Sequence, residues 1–181
     1  MNFKLIVAHC NNFGIGINNK LPWHFSEDLK RFSKLTRGPN NNNAIIMGRN
    51  TWSSLPKDFL PKRDNLILSS QLNMDKQIDQ DHILKTFKNL DSLKLFCKNK
   101  NYDEIWVIGG ESIYKQFLNE DSISELHITE IKHDYICDTF LPLAKNLDKF
   151  TLVERVEQIN ADINISYKTY KHINWKNMYY L

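Results

Sequence analysis

Ile105-Trp106-Val107-Ile108-Gly109-Gly110-Glu111-Ser112-Ile113-Tyr114 decides the architecture. Its first four residues are apolar and mostly branched or aromatic, the pattern of a strand buried on both faces. The glycine pair punctuates the run, and Glu111 opens a helix expected to reach about Leu118. Working outward, similar short apolar runs stand at residues 3–8, 44–47, 66–68 and 126–129, and the stretches between them mostly carry helical periodicity. Strands that alternate with helices build a largely parallel sheet. Residues 150–158 and 163–172 alternate apolar with polar instead, which predicts a terminal antiparallel pair with one wet face. The expected fold class is therefore α/β, one domain on a mixed, mainly parallel sheet. Gly38-Pro39 and the asparagines at 11–12, 18–19 and 40–43 read as turns.

Composition agrees with a single globular unit. The chain has 181 residues, 41% hydrophobic and 25% charged, and a chain of that size buries roughly 70% of its unfolded surface without help from disulfides or a structural metal. A formal charge of +3, with no basic stripe, argues against a nucleic-acid partner. Cys10, Cys97 and Cys137 lie far apart with no C-x-x-C pair, so neither a disulfide framework nor a thiolate zinc site is expected. The histidines lack H-x-x-x-H spacing, so no catalytic metal is expected either. No apolar run approaches the ~20 residues of a membrane span, and the first residues do not form a signal peptide. The expectation is a soluble protein of the reducing cytoplasm.

The helix after Trp23 carries an acid that faces the wrong way. Ser26 is an expected N-cap, and Glu27-Asp28 supply the acidic first turn of a helix to about Thr36. At about 100° per residue, Phe25, Leu29, Phe32, Leu35 and Thr36 make one stripe with Asp28 inside its edge, while Glu27, Lys30 and Lys34 fall opposite. A carboxylate beside aromatic rings without a partner should titrate high, although the helix N-terminus opposes that shift. A ligand with a cationic or donor-rich edge would supply the partner, which makes Asp28 a site candidate.

Two strand ends favour anions. Gly109-Gly110 before a helix lets backbone N–H groups approach a phosphate. Met47-Gly48-Arg49-Asn50-Thr51-Trp52 repeats the theme with a guanidinium suited to a phosphate monoester. Together they suggest an extended, phosphate-bearing cofactor across the carboxyl edge of the sheet, for which a dinucleotide is suitable.

Gly14-Ile15-Gly16-Ile17, Leu21-Pro22-Trp23, Asp28, Met47-Gly48-Arg49-Asn50-Thr51-Trp52, Leu60-Pro61-Lys62-Arg63, Leu66-Ile67-Leu68-Ser69-Ser70 and Ile108-Gly109-Gly110, in this order and spacing, resemble the dihydrofolate reductase family over roughly residues 3–172. The resemblance implies an eight-stranded, mainly parallel sheet with about four helices, and hydride transfer from NADPH to carbon 6 of dihydrofolate while nitrogen 5 takes a proton. It makes tetrahydrofolate for one-carbon metabolism the expected product, and dihydrofolate and antifolates the expected ligands of a monomer. On it, Asp28 is the single acid of the pteridine pocket, Thr129 the supporting hydroxyl, and Trp23 the tryptophan that organises water. Ile6, Leu29, Phe32, Leu60 and Ile108 resemble the walls around the substrate rings, and Arg63 the partner of its α-carboxylate.

On the cofactor side, Ala8 together with Ile15, Gly16, Asn19 and Lys20 resemble the region closing over nicotinamide, the last four within a lid spanning residues 11–24. Arg49, Asn50, Thr51, Leu68, Ser69 and Ser70, with Lys88, resemble the adenosine-side contacts. Gly109, Gly110, Glu111, Ser112, Ile113 and Tyr114 resemble the pyrophosphate turn, with a Gly109–Gly110 bond expected to be cis. Ser112 and Gln71 stand where other members carry basic residues, so NADPH preference over NADH rests mainly on Arg49. The expected domain is 1–172. Residues 173–181 form a tail carrying Trp175, Tyr179 and Tyr180, too short for a fused thymidylate synthase. Two rivals are a pyrimidine reductase of riboflavin synthesis, disfavoured by Leu21-Pro22-Trp23 with an inward Asp28, and a non-catalytic binding module of the same fold, which would bind NADPH without turnover.

Overall fold

The computed structural model describes residues 2–143, 146–160 and 162–174; Trp175, Tyr179 and Tyr180 of the tail lie outside them. In chain order the strands are β1 (Phe3–His9), β2 (Gly14–Gly16), β3 (Ala44–Gly48), β4 (Asp64–Leu68), β5 (Asp75–Gln77), β6 (Ile83–Phe87), β7 (Ile105–Gly109), β8 (Ile123–Ile131), β9 (Thr139–Phe140), β10 (Phe150–Asn160) and β11 (Ile163–His172). The helices are α1 (Ser26–Arg37), α2 (Arg49–Ser53), α3 (Leu90–Asn99) and α4 (Glu111–Asn119). The main sheet runs β10-β11-β8-β1-β7-β3-β4-β6-β5. Its pairings from β8 to β6 are all parallel, and β11, β10 and β5 join antiparallel at the two edges.

Every residue of β3, β4 and β7 is buried, as parallel strands covered on both faces must be. On one face Phe3, Leu5, Ile46, Leu66 and Val107 pack with Leu93 of α3 and Ile113, Phe117 and Leu118 of α4. On the other, Ile6, Ile45, Met47, Ile67 and Trp106 pack with Phe32 and Leu35 of α1 and Trp52 of α2. Each fully buried side chain of this kind contributes about 1.5–3 kcal/mol. The crossover helices α1 and α2 thus cover one face and α3 and α4 the other, leaving a crevice at the carboxyl ends of the central strands.

Four expectations need correction. The sheet has nine strands rather than eight, because β5 adds Asp75-Lys76-Gln77 at an edge where all three side chains are exposed and no apolar pattern marks them. A separate ribbon pairs β2 with β9. The terminal pair does not have a single wet face: between Thr151 and Glu157 every β10 residue is exposed, since β10 is the outermost strand and, among the described residues, no element covers either side of it. Ser26 is not the N-cap of α1; Phe25 occupies that position, with its buried ring in the core and its carbonyl accepting from Leu29 N at 3.1 Å. Nor are all the cysteines far apart in space. The loop before β9 brings Cys137 to the end of β1, and its Sγ lies 3.7 Å from that of Cys10. A Cβ on Gly14 would sit 2.5 Å from Cys137 Sγ and 2.8 Å from Cys10 Sγ.

Candidate active site

The acid end of the crevice is assembled where α1 meets β8. Thr129, 2% exposed, pairs with Ala8 of β1 on one side and Tyr167 of β11 on the other. Its Oγ1 donates to Asp28 Oδ1 at 2.7 Å. Asp28 is half-buried, and burial raises its carboxyl above the ordinary 3.8, against the opposing pull of the Thr129 hydrogen bond and the Arg31 charge. Asp28 thus faces inward on α1, as its helical phase predicts.

Trp23 packs with Cys10, Phe25, Ile131 and Ile165 behind this acid, with Ala8, Tyr135 and Tyr167 against the same cluster. Its buried Nε1 donor has no hydrogen-bond partner among the described residues. The neighbouring wall is apolar: Ile6 and Ile108 form one cluster with the half-buried Phe32 and Leu60. Leu29, on the outer side of α1, is 41% exposed.

Beyond the wall lies a cavity of about 630 Å³. Ile15, Gly16, Asn19 and Lys20 line it from the loop, Gly48, Arg49, Asn50 and Thr51 from the β3–α2 junction, and Leu68, Ser69 and Ser70 from the end of β4. Lys88 and Gly110, Glu111, Ser112 and Ile113 complete that wall. Three cations face one acid, Glu111, among the described lining residues. At the start of α4, Ile113 N and Tyr114 N both reach Gly110 O at 3.0 Å, which leaves the first N–H groups of the helix for a ligand. Close backbone approach is enforced by two glycines: a Cβ on Gly48 would meet Ile113 Cγ1 at 3.0 Å, and one on Gly110 would meet Thr51 Oγ1 at 3.3 Å.

A family model described as Dihydrofolate reductase matches residues 2–174. This chain belongs to the dihydrofolate reductase family. A dihydrofolate reductase of Heliothis virescens is 32% identical over 183 residues, covering 94% of this chain and 97% of that protein. One of Drosophila melanogaster is 36% identical over 148 residues, covering 78% and 80%, and one of Candida albicans is 37% identical over 150 residues, covering 77% and 76%. As a member of the dihydrofolate reductase family, the chain is an oxidoreductase that uses a nicotinamide cofactor.

Within this dihydrofolate reductase fold, the expected cofactor-side residues line the cavity except Tyr114, Gly109 and Ala8, whereas the expected substrate-side residues stand outside its lining, and Leu29, expected within the inward stripe of α1, is exposed. Tyr114, expected at the cofactor, is turned into the core, where its hydroxyl donates to Ile6 O at 3.0 Å. Burial pushes its phenol well above the ordinary range. Gly109, at φ +107°, is pressed against that ring and does not line the cavity; the Gly109–Gly110 bond is cis. Ala8 likewise lies outside the cavity, beside Trp23. Arg63 is 2% exposed: its Nε donates to Pro61 O at 2.9 Å and its Nη1 to Thr36 Oγ1. Burial, with Arg37 nearby, brings its titration down to about 10.

Sequence reasoning missed Asn89, Gln116 and Thr139, which also line the cavity. Asn89 had a signal, since it caps α3 by accepting from Ser92 N at 2.9 Å, immediately before an apolar helical run. Thr139 had none, because its place opposite Gly16 depends on the β2–β9 ribbon. Gln71, noted only as a departure, accepts a hydrogen bond from Arg49 Nη1.

Proposed function

We propose that this chain reduces 7,8-dihydrofolate to 5,6,7,8-tetrahydrofolate with NADPH, in a reducing cytoplasm. The observation that carries the reading is the Asp28 carboxyl, half-buried, titrating high, and fixed by Thr129 at 2.7 Å. Beyond the Thr129 hydroxyl and the nearby Arg31 charge, that carboxylate keeps acceptor capacity for a cationic or donor-rich ligand, and the amino-pyrimidine edge of a pterin suits it. Asp28 holds that edge and favours a proton on nitrogen 5; Trp23 directs its unpartnered Nε1 to an ordered water on the proton path. Ile6, Phe32, Leu60 and Ile108 exclude water from the rings, Leu29 covers their open side, and Arg63, pre-set by Thr36 and Pro61, takes the substrate α-carboxylate.

The cavity residues suit NADPH: glycine backbone, the hydroxyls of Thr51, Ser69, Ser70 and Ser112, and the charges of Lys20, Arg49 and Lys88 match an extended ligand bearing phosphates. When bound, NADPH supplies the hydride. Arg49, with Gln71 orienting its guanidinium, reads the adenosine-side phosphate. The loop over residues 11–24 closes across the nicotinamide end and keeps water out.

The test is NADPH oxidation with dihydrofolate between acid and alkaline pH, comparing wild type with Asp28→Asn. The variant should lose about 10²–10⁴-fold at neutral pH and recover part of that in acid, where solution supplies the proton. Wild-type-like turnover in Asp28→Asn at every pH would overturn the reading. Tight NADPH binding without any turnover by the wild type would favour the non-catalytic module.

A further inference from the structure

Arg31 belongs to no role assigned so far, yet it is half-buried one helical turn after Asp28. Its guanidinium carbon lies 5.0 Å from the centroid of the Tyr167 ring. One of its terminal nitrogens, Nη1, is fully enclosed and finds no acceptor among the described residues. Residues three apart on a helix share a face, so Asp28 and Arg31 present opposite charges to the same side of α1.

Sheet register closes these residues into a ring. Thr129 on β8 holds Asp28 by its hydroxyl, and its partner across the antiparallel β8–β11 pair is Tyr167, the ring that carries Arg31. Each of the four is thus fixed by two others: Asp28 and Arg31 by α1, Thr129 and Tyr167 by the sheet, and the pairs by one hydrogen bond and one stacking contact. A planar, weakly hydrated guanidinium tolerates this enclosed seat on an aromatic face, whereas an ammonium prefers water.

We propose that Arg31 is a positioning residue for Asp28, its guanidinium held on Tyr167 so that the acid stays an anion oriented toward an incoming pterin. The proposal rests on the reading of Asp28 as the substrate-binding acid. Burial alone would push Asp28 toward its neutral, proton-bearing form, and a neutral carboxyl cannot pair with a protonated pterin edge. Arg31 restrains that drift from within the protein, before any ligand arrives. The other titratable groups around the pair are Glu27 on α1, exposed and paired with Lys30, whose charge acts on Tyr167 at a distance; the Tyr167 phenol, raised by burial; and Glu154 on β10, which also pulls on Arg31 and is itself engaged by Thr169 Oγ1 at 3.2 Å. Asp28 is the more enclosed of the two acids sharing this cation, since Glu154 lies on the exposed strand β10.

The test is a carbon-13 NMR titration of the Asp28 carboxyl in the ligand-free full chain, assigned with Asp28→Asn. It compares wild type, Arg31→Met, Arg31→Lys and Tyr167→Leu. In Arg31→Met the Asp28 midpoint should rise by about one pKa unit, the lower end of what a neighbouring opposite charge does. Arg31→Lys should recover part of that rise by keeping the charge, and Tyr167→Leu should show a smaller rise by freeing the guanidinium. An unchanged Asp28 midpoint in Arg31→Met overturns the proposal, as does a rise of equal size in Arg31→Lys, which would mark a packing effect instead of a charge effect. Should Arg31→Met not fold, Tyr167→Leu decides: an unmoved midpoint there overturns it. The titration needs no turnover, so it stands apart from the dihydrofolate assay: an inert wild type with a shifted midpoint would sink the enzymatic reading and leave only the hold of Arg31 on the Asp28 charge.

Discussion

The two ends of the crevice solve recognition in opposite ways. At the acid end the proposed recognition centres on one carboxyl, held by a hydrogen bond from Thr129, with the Trp23 cluster and an apolar wall nearby. At the cofactor end no single side chain dominates. Glycine backbone at 16, 48 and 110, several hydroxyls and three exposed cations share a cavity of about 630 Å³. The lesson is one of tolerance. A concentrated site should fail abruptly when its one group is altered and should report that failure through pH. A distributed site should lose affinity in steps unless its backbone frame is disturbed.

The sharpest way to break that contrast is to attack the frame. Gly109 holds φ +107°, a conformation L side chains rarely adopt, and an added Cβ would lie 2.8 Å from the buried Tyr114 ring. Gly109→Ala should therefore cost about 1–3 kcal/mol of stability or more and remove NADPH binding, as read by thermal melting and fluorescence titration. Gly110→Ala, meeting only Thr51 Oγ1 at 3.3 Å, should be milder. Equal losses would show that the frame matters less than the phosphate contacts.

A smaller effect is expected from Arg49→Gln. Removing one charge-assisted contact to a phosphate should raise the KM for NADPH about tenfold and leave that for NADH unchanged. Steady-state kinetics with both cofactors checks it. A parallel loss with NADH would place Arg49 at a phosphate common to both.

The smallest effect concerns stability at the acid end. Asp28 titrates above its ordinary 3.8 in the folded chain, so the folded state binds that proton more tightly than the unfolded one. The stability this confers is full below the ordinary carboxylate range and is lost as pH rises through the folded value. At neutral pH the buried anion is a burden, and ligand-free Asp28→Asn should melt at a higher temperature than wild type, with the gap closing in acid. Scanning calorimetry at pH 7 and pH 3.5 measures both; a lower melting temperature at pH 7 would show that the Thr129 bond and the Arg31 charge outweigh burial.

What could be read from the chain depended on whether a local pattern carried the information. The β7–α4 junction was legible because Gly109-Gly110 breaks a strand that is apolar throughout, and Asp28 because its helical phase conflicts with its chemistry. β6 was not, since Lys85 and Thr86 interrupt its apolar residues, and β5 has no buried face at all. The contact between Cys10 and Cys137, 127 residues apart, is created by the fold alone. Arg31 is in phase with Asp28, but nothing in the sequence marks it out, because a helical arginine is ordinarily solvated. Tyr114 shows the converse: a motif placed it correctly on α4, while its side chain serves the core instead of the cavity.

Gly14 carries a consequence for how this chain can change. The space a methyl group would need there is already taken by two sulfur atoms, at 2.5 and 2.8 Å. Positions 10, 14 and 137 therefore share one fixed volume, and their substitutions have an order: the side chains at 137 and 10 must both give way before position 14 can grow. A lineage that enlarges residue 14 first meets a barrier that the same changes, taken in reverse, avoid.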